Sequence, residues 1–550
     1  MGRGDEDGVP AGGYSALSGA PGEDLGEQRV FNYGRREHRD RGWTYAFAAT
    51  MLLLLAGGIA VGRGVNKRFT DVTTDEYLSD YANCPAKAPG GRGLLQEEEE
   101  EKDDGEFSLH KFTHAVWPWL AITLLGSLAL GLGYVKMFEK HPMGMMIFGA
   151  VMQVVLLAIM GIASFSWNPY IGIVLLLVAG VAVCIHMSTK RHFELCAQLF
   201  HVATKGLRAN PSILLLVIVL WVALGVVAFV AVALLGVAAM NGSVVTNPSV
   251  DSHMGQSCLD STGTKVACCV WQVKGWAALY SVFAVLACLW TFCIIIELRV
   301  FTIAGTITQW YFQPPGTSTE GTLKRSLGHG LGASFGSIVF GGMVLTILQI
   351  LRFLLRMATN NRSRNMLVMC ICMVIRAILM AILDIIEFLT RFATMWCAVK
   401  GDAFIESGRQ ATDMLKRNFM DTTFVWWFPS WVLLGGNLVF SLAWAGIMYL
   451  VAIIGVAPGL KEYALAFFIT SLITAYLVLS LTASILLNLV ETVYFCYAID
   501  KDNRVVSNDE VHEVFQKLPA KVGVLVEQPE GDVMYAAPQG QAPPPVLPTV

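Results

Sequence analysis

Aromatic and acidic side chains occur together in stretches of the sequence that are otherwise apolar. The aromatic residues are Trp290, Trp310, Tyr311, Tyr494 and Tyr497, and the acids near them are Glu297 and Glu491. Ring faces attract a cation that cannot donate hydrogen bonds, by about 0.5 to 2 kcal/mol for each contact. A nearby carboxylate offsets the cost of removing water from that cation. These residue types predict a binding site for an organic cation, although Trp and Tyr also concentrate at membrane interfaces.

A second set of polar groups lies in the apolar run 335–357. Gln349, Arg352 and Arg356 follow one helical face at i, i+3 and i+7. Such groups face protein, water or the interface rather than lipid. We expect Gln349 to orient helices or a substrate hydroxyl, and Arg352 to pair with a helix end or a carboxylate. The alternative is a packed helix whose arginines extend to the interface. Small residues in the first half allow close helix packing; they are Gly336, Ser337, Gly341 and Gly342.

The composition indicates a membrane protein. The chain has 550 residues, of which 55% are hydrophobic and 15% charged, and its mean hydropathy is +0.55. Soluble domains are about a quarter charged. No strongly basic patch indicates a nucleic-acid partner. No phosphate-binding loop, HExxH motif or CxxC pair is present in the sequence, so we expect neither an enzyme nor a metal or other cofactor.

The elements that must position these groups are apolar runs of about 20 residues or more, which is enough to cross a bilayer. The sequence therefore predicts an all-α polytopic transmembrane helix bundle of about ten spans. They are 43–61, 115–137, 143–166, 169–187, 211–240, 271–312, 335–357, 366–388, 424–455 and 464–498. The eighth could instead be an interfacial helix paired with a re-entrant segment. In the sixth, Glu297 and Arg299 predict either a broken helix or a helix that continues along the surface.

Charged residues orient the bundle. Arg35, Arg36, Arg39 and Arg41 precede the first span, which predicts that both termini are cytosolic once ten spans are counted. Residues 1–42 read as a disordered cytosolic tail, 43–498 as the transmembrane domain and 499–550 as a cytosolic C-terminal tail. Residues 189–210 predict an amphipathic helix lying along the membrane. Ser507 is expected to cap a short helix in the C-terminal tail.

Two loops are predicted to be extracellular, 63–113 and 241–270. They contain the disulfide candidates Cys84, Cys258, Cys268 and Cys269, and a bond from Cys258 to Cys268 or Cys269, or across to Cys84, remains open. Asn241 begins a glycosylation sequon, which predicts a glycoprotein, although it lies close to the membrane.

Motifs of the C-terminal half resemble those of the choline transporter-like family. The matching residues are Ala304-Gly305 with Trp310-Tyr311; Gly336-Ser337-Ile338-Val339-Phe340-Gly341 with Gln349 and Arg352; Arg391-Phe392-Ala393 through Gly401, Phe404 and Ser407 to Arg417-Asn418; and Glu491-Thr492 with Cys496 and Asp500. The resemblance covers about 300–500. It implies about ten spans, cytosolic termini and carriage of choline or a related amine, either facilitated or proton-coupled.

The sequence also departs from the family pattern. Glu491 stands where the family has Asp, which keeps the charge, and Thr412 stands where Phe is usual. Lys400, Asp402 and Glu406 replace largely neutral positions. The substrate could therefore differ from choline even if the fold is shared.

The sequence-based hypothesis is an alternating-access carrier of choline-like cations in the plasma membrane or an organelle membrane. Its site has Trp290, Trp310 and Tyr311 as cage walls, with Glu491 or Glu297 as counter-charge and Gln349 and Tyr494 as further contacts. The alternatives are an ethanolamine-type amine carrier, an ion channel, and a membrane scaffold or lipid-handling protein without transport.

Overall fold

The chain folds into long helices with a small strand-containing module. A computed structural model describes residues 30–34, 36–84, 109–188, 190–254, 257–313, 319–358, 366–417, 419–456, 460–516 and 534–535. The predicted disordered tail up to residue 29, the acidic part of the first loop and the end of the C-terminal tail lie outside these residues. The helices are α1 (Arg41–Arg63), α2 (Phe69–Val72), α3 (Asp75–Ser79), α4 (Leu109–Lys140), α5 (Pro142–Ser164), α6 (Pro169–Ser188), α7 (Lys190–Ala209), α8 (Ser212–Ala239), α9 (Gly275–Tyr311), α10 (Thr322–Leu331), α11 (Phe335–Ala358), α12 (Met366–Lys400), α13 (Phe404–Arg417), α14 (Phe419–Ile453), α15 (Ala464–Asn503) and α16 (Asp509–Gln516).

Nine of the helices in the described chain are long and apolar enough to cross a membrane, which confirms the polytopic all-α prediction. They are α1, α4, α5, α6, α8, α9, α11, α14 and α15. The predicted eighth span corresponds to α12, which is not among the nine and carries Arg376, Asp384, Glu387 and Arg391. Its crossing, and the orientation of the termini, stay predictions.

The sixth predicted span is one unbroken helix. α9 has 37 residues, so it is about 55 Å long at 1.5 Å per residue. Because this exceeds the roughly 30 Å of the hydrocarbon core, the helix extends beyond the bilayer. Of the two alternatives at Glu297 and Arg299, the broken helix is wrong, because α9 is continuous through both residues. Glu297 can remain in the helix because other helices of the bundle surround it, so that it is fully buried.

The predicted amphipathic helix forms, but its apolar face is turned into the protein. In α7, the side chains of Phe193, Cys196, Leu199 and Phe200 are buried in the main hydrophobic core. The helix packs against α4, α5 and α15. The expectation that this face lies on lipid is thus corrected, because neighbouring helices cover the same apolar area.

The second predicted extracellular loop folds into short strands, and it contains one internal disulfide and one disulfide to the first loop. β1 (Gly242–Thr246) pairs antiparallel with β5 (Cys269–Val273), and β2 (Ser252–Met254), β3 (Ser257–Leu259) and β4 (Lys265–Val266) form a second sheet. The bonds are Cys84–Cys269 and Cys258–Cys268. Disulfides persist in oxidising compartments, which supports the predicted extracellular location.

Asn241 is placed unfavourably for a glycan. Its side chain is fully buried, and its Nδ2 donates to the carbonyl oxygens of Val61 at 2.9 Å and Val237 at 2.8 Å. A glycan would have to replace one of those hydrogens and occupy the same space. The predicted glycosylation therefore conflicts with this fold.

Near the end of α15, the buried Asp500 carboxylate collects several donors. It accepts hydrogen bonds from the Tyr311 hydroxyl at 3.0 Å, from the backbone and hydroxyl of Ser507 at 3.0 and 2.8 Å, and pairs with His512 at 3.2 Å. Ser507 is thus held by Asp500, and it is Asn508 whose side chain accepts from the first turn of α16. The short strand β6 (Val505–Val506) pairs with β7 (Met534–Tyr535).

Candidate functional site

Alternating charges connect α11, α12 and α15 in the apolar part of the bundle. Asp384, Glu387 and Arg391 follow one face of α12 at i, i+3 and i+7, where helical side chains are neighbours. Arg352 of α11 pairs with Asp384 at 2.7 Å and with Glu387 at 2.5 Å. Arg391 pairs with Glu387 at 2.9 Å and with Glu491 of α15 at 3.3 Å. The result is a row of five charges in which each guanidinium bridges two carboxylates.

A cavity of about 270 Å³ opens beside this row. Its lining residues come from α12, α14 and α15, and they are Asp384, Glu387, Phe388, Arg391, Ser430, Leu487 and Glu491. The carboxylates become steadily more enclosed along it: the Asp384 side chain is 54% exposed, Glu387 20% and Glu491 1%. Asp384 therefore lies at the mouth of the cavity and Glu491 at its floor.

Two buried carboxylates in this region keep an oxygen without a hydrogen bond among the described residues. Glu491 uses Oε1 for Arg391, and its Oε2 has no partner. Glu297 accepts a short hydrogen bond from Thr394 through Oε2, and its Oε1 has no partner. Gly341 passes close to the Glu297 carboxyl, where a Cβ atom would contact it at 3.5 Å. Buried charge that is incompletely paired is costly in an apolar region.

The network carries an excess of negative charge. Glu297 lies beside the same face of α12, because its partner Thr394 is three positions after Arg391. Arg299, two positions after Glu297, donates to the Ser484 hydroxyl at 3.0 Å. Four carboxylates (Glu297, Asp384, Glu387, Glu491) thus face three guanidinium groups (Arg299, Arg352, Arg391). In their ionised forms they leave one negative charge, which a monovalent cation would balance.

The predicted aromatic cage does not form. Trp290 and Trp310 are twenty positions apart on the continuous helix α9, which places them about 30 Å apart. Trp290 donates its indole N–H to the Val339 carbonyl at 3.2 Å. Trp310 packs beside Gly206 of α7, and Tyr311 hydrogen bonds to Asp500. These three side chains have separate structural contacts and cannot surround one ligand.

The other sequence-predicted site residues separate into two groups. Glu491 lines the cavity, and Glu297 belongs to the charge network beside it. Gln349 is exposed on α11, and Tyr494 is fully buried with its ring centroid 6.3 Å from that of Phe392. Neither residue lines the cavity. The expectation that Arg352 pairs with a carboxylate is confirmed.

Asp384, Glu387 and Arg391 were missed as site residues. The signal was present, since three charged residues at helical spacing in or beside an apolar run predict one polar face. Their partners could not be found this way, because Arg352 and Glu491 lie on other helices.

A different arrangement closes the C-terminal end of α12. Residues 30–34 and 36–40, called here the N-terminal segment, cross this end of the bundle, so this part of the predicted disordered tail 1–42 is ordered. Its Arg36 donates to the carbonyl oxygens of Cys397 at 3.2 Å, Ala398 at 2.8 Å and Val399 at 3.2 Å. Burial lowers the pKa of the Arg36 guanidinium to about 10. Gly401, at φ +83°, leaves room for Arg36, since a Cβ atom there would lie 2.9 Å from its Cδ.

Asp40 fixes the other end of the N-terminal segment. Its Oδ2 accepts hydrogen bonds from the Ser337 hydroxyl at 2.7 Å and from the Phe404 backbone N–H at 2.8 Å. The carboxylate therefore joins the starts of α11 and α13, where the first N–H groups of a helix need acceptors. The segment thus ties α11, α12 and α13 together at the end that the charge pattern predicts to be cytosolic.

Comparisons with known proteins identify relatives. A family model described as plasma-membrane choline transporter matches residues 173–502. A CTL-like protein of Dictyostelium discoideum is 24% identical over 414 residues, which cover 72% of this chain and 74% of that protein. A second CTL-like protein of that organism is 25% identical over 43% of this chain and 41% of its own length. Choline transporter-like protein 4 of Sus scrofa is 26% identical over 46% of this chain and 37% of its own length. The charge network lies inside the matched residues, whereas the N-terminal segment lies outside them.

Proposed function

Since the family model matches more than half of its residues, this chain belongs to the choline transporter-like family, and we propose that it carries choline or a related small organic amine through the cavity beside Glu491. Membership makes the chain a multi-pass membrane transporter of the plasma membrane and not an enzyme. The choice of substrate, the site and the mechanism are the proposal.

The observation that carries the proposal is the unpaired Oε2 of Glu491 on the floor of the cavity. An ionised carboxylate at this depth needs a counter-charge, and Arg391 is already shared with Glu387. A monovalent cation entering from the Asp384 end would meet successive carboxylates and come to rest against Glu491. The Phe388 ring offers a face to its methyl groups, and the Ser430 hydroxyl offers a contact to an alcohol.

Release of the cargo on the other side of the membrane requires that the site be exposed first to one side and then to the other. Arg391 can assist, because it can form ion pairs with both Glu387 and Glu491 once the cargo leaves. The guanidinium thus acts as an internal substitute for the substrate cation. In this mechanism, Arg391 partly compensates Glu387 and Glu491 in the empty carrier, and the cargo supplies the remaining positive charge in the loaded one.

A primary ammonium such as ethanolamine is the second candidate. The cavity is lined by three carboxylates and by one aromatic ring, that of Phe388. A quaternary ammonium gains most from several ring faces, whereas a primary ammonium can donate three hydrogen bonds to carboxylates. This lining favours competition by ethanolamine.

The test is uptake of radiolabelled choline into liposomes that contain the purified full-length chain, with unlabelled choline and ethanolamine as competitors. Glu491→Gln keeps the shape and removes the charge. We expect about a 100-fold loss of kcat/KM, the size of effect found when one partner of a buried charged contact is removed. Glu406→Gln is the matched control, because Glu406 is exposed on α13 and pairs with Arg409 outside the cavity.

Equal uptake by the Glu491→Gln and Glu406→Gln variants, at equal amounts of folded protein, would reject Glu491 as the cation site. Saturable uptake of ethanolamine with no response to choline would select the second candidate. Currents that do not saturate with either amine would indicate a channel instead. Absence of transport with intact folding would favour a scaffold or lipid-handling protein.

A further inference from the structure

A basic cleft lies where α1 begins, away from the charge network. Its volume is about 410 Å³, and it is lined by His38, Arg39, Arg41, Thr44, Tyr45, Leu331, Gly332, Ala333, Phe335 and Gly336. None of these described lining residues is acidic. One wall is therefore the end of the N-terminal segment with the start of α1, and the other is the junction of α10 and α11.

The electrostatic balance of this cleft is positive. Arg39 pairs with Glu37 at 3.1 Å, but both side chains are at least half exposed, so the pair is weak. The nearest carboxylate along the chain, Asp40, is turned to Ser337 and Phe404. Arg41 forms no ion pair within the described part of the chain. An anion entering the cleft would meet two guanidinium groups at little cost in broken contacts.

The cleft lies at the level of a membrane interface. Arg41 is the first residue of the α1 span. One helical turn further, Tyr45 is 70% exposed, and Leu331 on the opposite wall is 56% exposed. Cations at the rim and exposed apolar groups immediately inside match a ligand that has an anionic head and a hydrocarbon body. A free inorganic anion would leave the apolar part unused.

The walls are fixed before any ligand arrives. The Arg39 backbone N–H points to the Ala333 carbonyl at 3.4 Å. Gly336 lies so close to the N-terminal segment that a Cβ atom would be 2.4 Å from the Asp40 carbonyl oxygen. Asp40 adopts a left-handed conformation with φ 54° immediately before α1. A preformed site loses less entropy on binding.

We propose that this cleft binds the head group of an anionic phospholipid, with the phosphate between Arg39 and Arg41 and an acyl chain along Tyr45 and Leu331. The disulfide-bonded module follows the other end of α1, which assigns the cleft to the cytosolic leaflet, where anionic lipids are concentrated. The lipid would bridge α1 to α10 and α11 and so hold the N-terminal segment in place.

The test measures retention of lipid by the full-length chain. Protein is reconstituted in bilayers of phosphatidylcholine with a minor amount of labelled phosphatidylserine, extracted with mild detergent, and the co-purified label is counted. Each arginine near a charged surface contributes roughly fivefold in affinity, so R39Q/R41Q should retain about 25-fold less. The matched control is R63Q/R68Q, which removes two exposed arginines near the opposite end of α1.

Loss of the co-purified labelled lipid in R39Q/R41Q alone supports lipid binding in the cleft. Equal retention by all three proteins overturns it, and so does an equal loss in both double variants, since that would mean unspecific attraction. Displacement of the labelled lipid by inorganic phosphate would identify a free anion as the ligand and would also overturn the proposal that the cleft binds a lipid. These exposed side chains support no core, so the variants are expected to fold.

Discussion

The middle and the C-terminal end of α12 each receive arginine side chains, with opposite outcomes. In the middle, Arg352 and Arg391 contact carboxylates beside a cavity, and the Oε2 of Glu491 remains without a partner. At the end, Arg36 donates to the carbonyl oxygens of Cys397, Ala398 and Val399 in the last turn of the helix. The first region retains a carboxylate oxygen without a hydrogen bond, with which a ligand can interact. In the second, the Arg36 side chain uses its terminal nitrogens for carbonyl oxygens and leaves its Nε without a partner among the described residues, so its role is to tie segments of the bundle together.

The largest effect on stability is expected from Arg36→Gln. The Ala398 carbonyl would lose its donor, whereas the Cys397 and Val399 carbonyls would keep the backbone N–H groups of Gly401 and Asn32. One unsatisfied buried carbonyl costs roughly 1 to 3 kcal/mol, so we expect a loss of about that size. Thermal unfolding of the purified protein measures it, with the exposed Arg409→Gln as control. Choline uptake per folded molecule should be unchanged. Reduced uptake without reduced stability would break the distinction between the two regions.

A change in selectivity is expected from Arg391→Gln. Four carboxylates would then face two guanidinium groups, so the network would prefer a dication. A unit charge about 10 Å away at an effective dielectric near 20 is worth about 1.7 kcal/mol. We therefore expect the ratio of diamine to choline uptake to rise roughly 20-fold.

Competition between choline and a linear alkyl diamine measures this ratio. Arg391→Lys keeps the charge and should keep the preference for the monovalent amine. An unaltered ratio in Arg391→Gln would show that the charge balance of the network does not set selectivity.

The smallest effect concerns His329 of α10, near the N-terminal segment. Burial, and next the charges of Arg36 and Arg325, lower the pKa of His329 to about 4. The unfolded chain binds this proton below about pH 6.5, and the folded chain only near pH 4. Above about pH 6.5, His329 is neutral in both states and does not lower the free energy of unfolding. As the pH falls towards 4, the unfolded chain binds the proton first, and the free energy of unfolding decreases.

Unfolding midpoints measured between these pH values should fall less in His329→Gln than in the parent chain. Parallel pH profiles for the two proteins would contradict the assigned cause.

Hydrophobic length was sufficient to predict most spans, because crossing a bilayer requires it whatever the neighbours are. Acidic residues in apolar runs likewise indicated Glu297 and Glu491. The cage failed because whether α9 breaks at Glu297 depends on the helices around it, and an unbroken helix separates Trp290 from Trp310. The pairing of Arg36 with the end of α12 joins residues more than 360 positions apart, and no local pattern contains that information.

The Cys84–Cys269 bond closes a loop of 185 residues that begins shortly after α1 and ends just before α9. A protease cut at any exposed point within that loop would leave two pieces that migrate together on a gel until a reducing agent separates them. The same bond limits how far the segment after α1, which precedes the family-matched residues, can separate from the start of α9. Any rearrangement that moves cargo must therefore keep Cys84 near the start of the helix that holds Glu297.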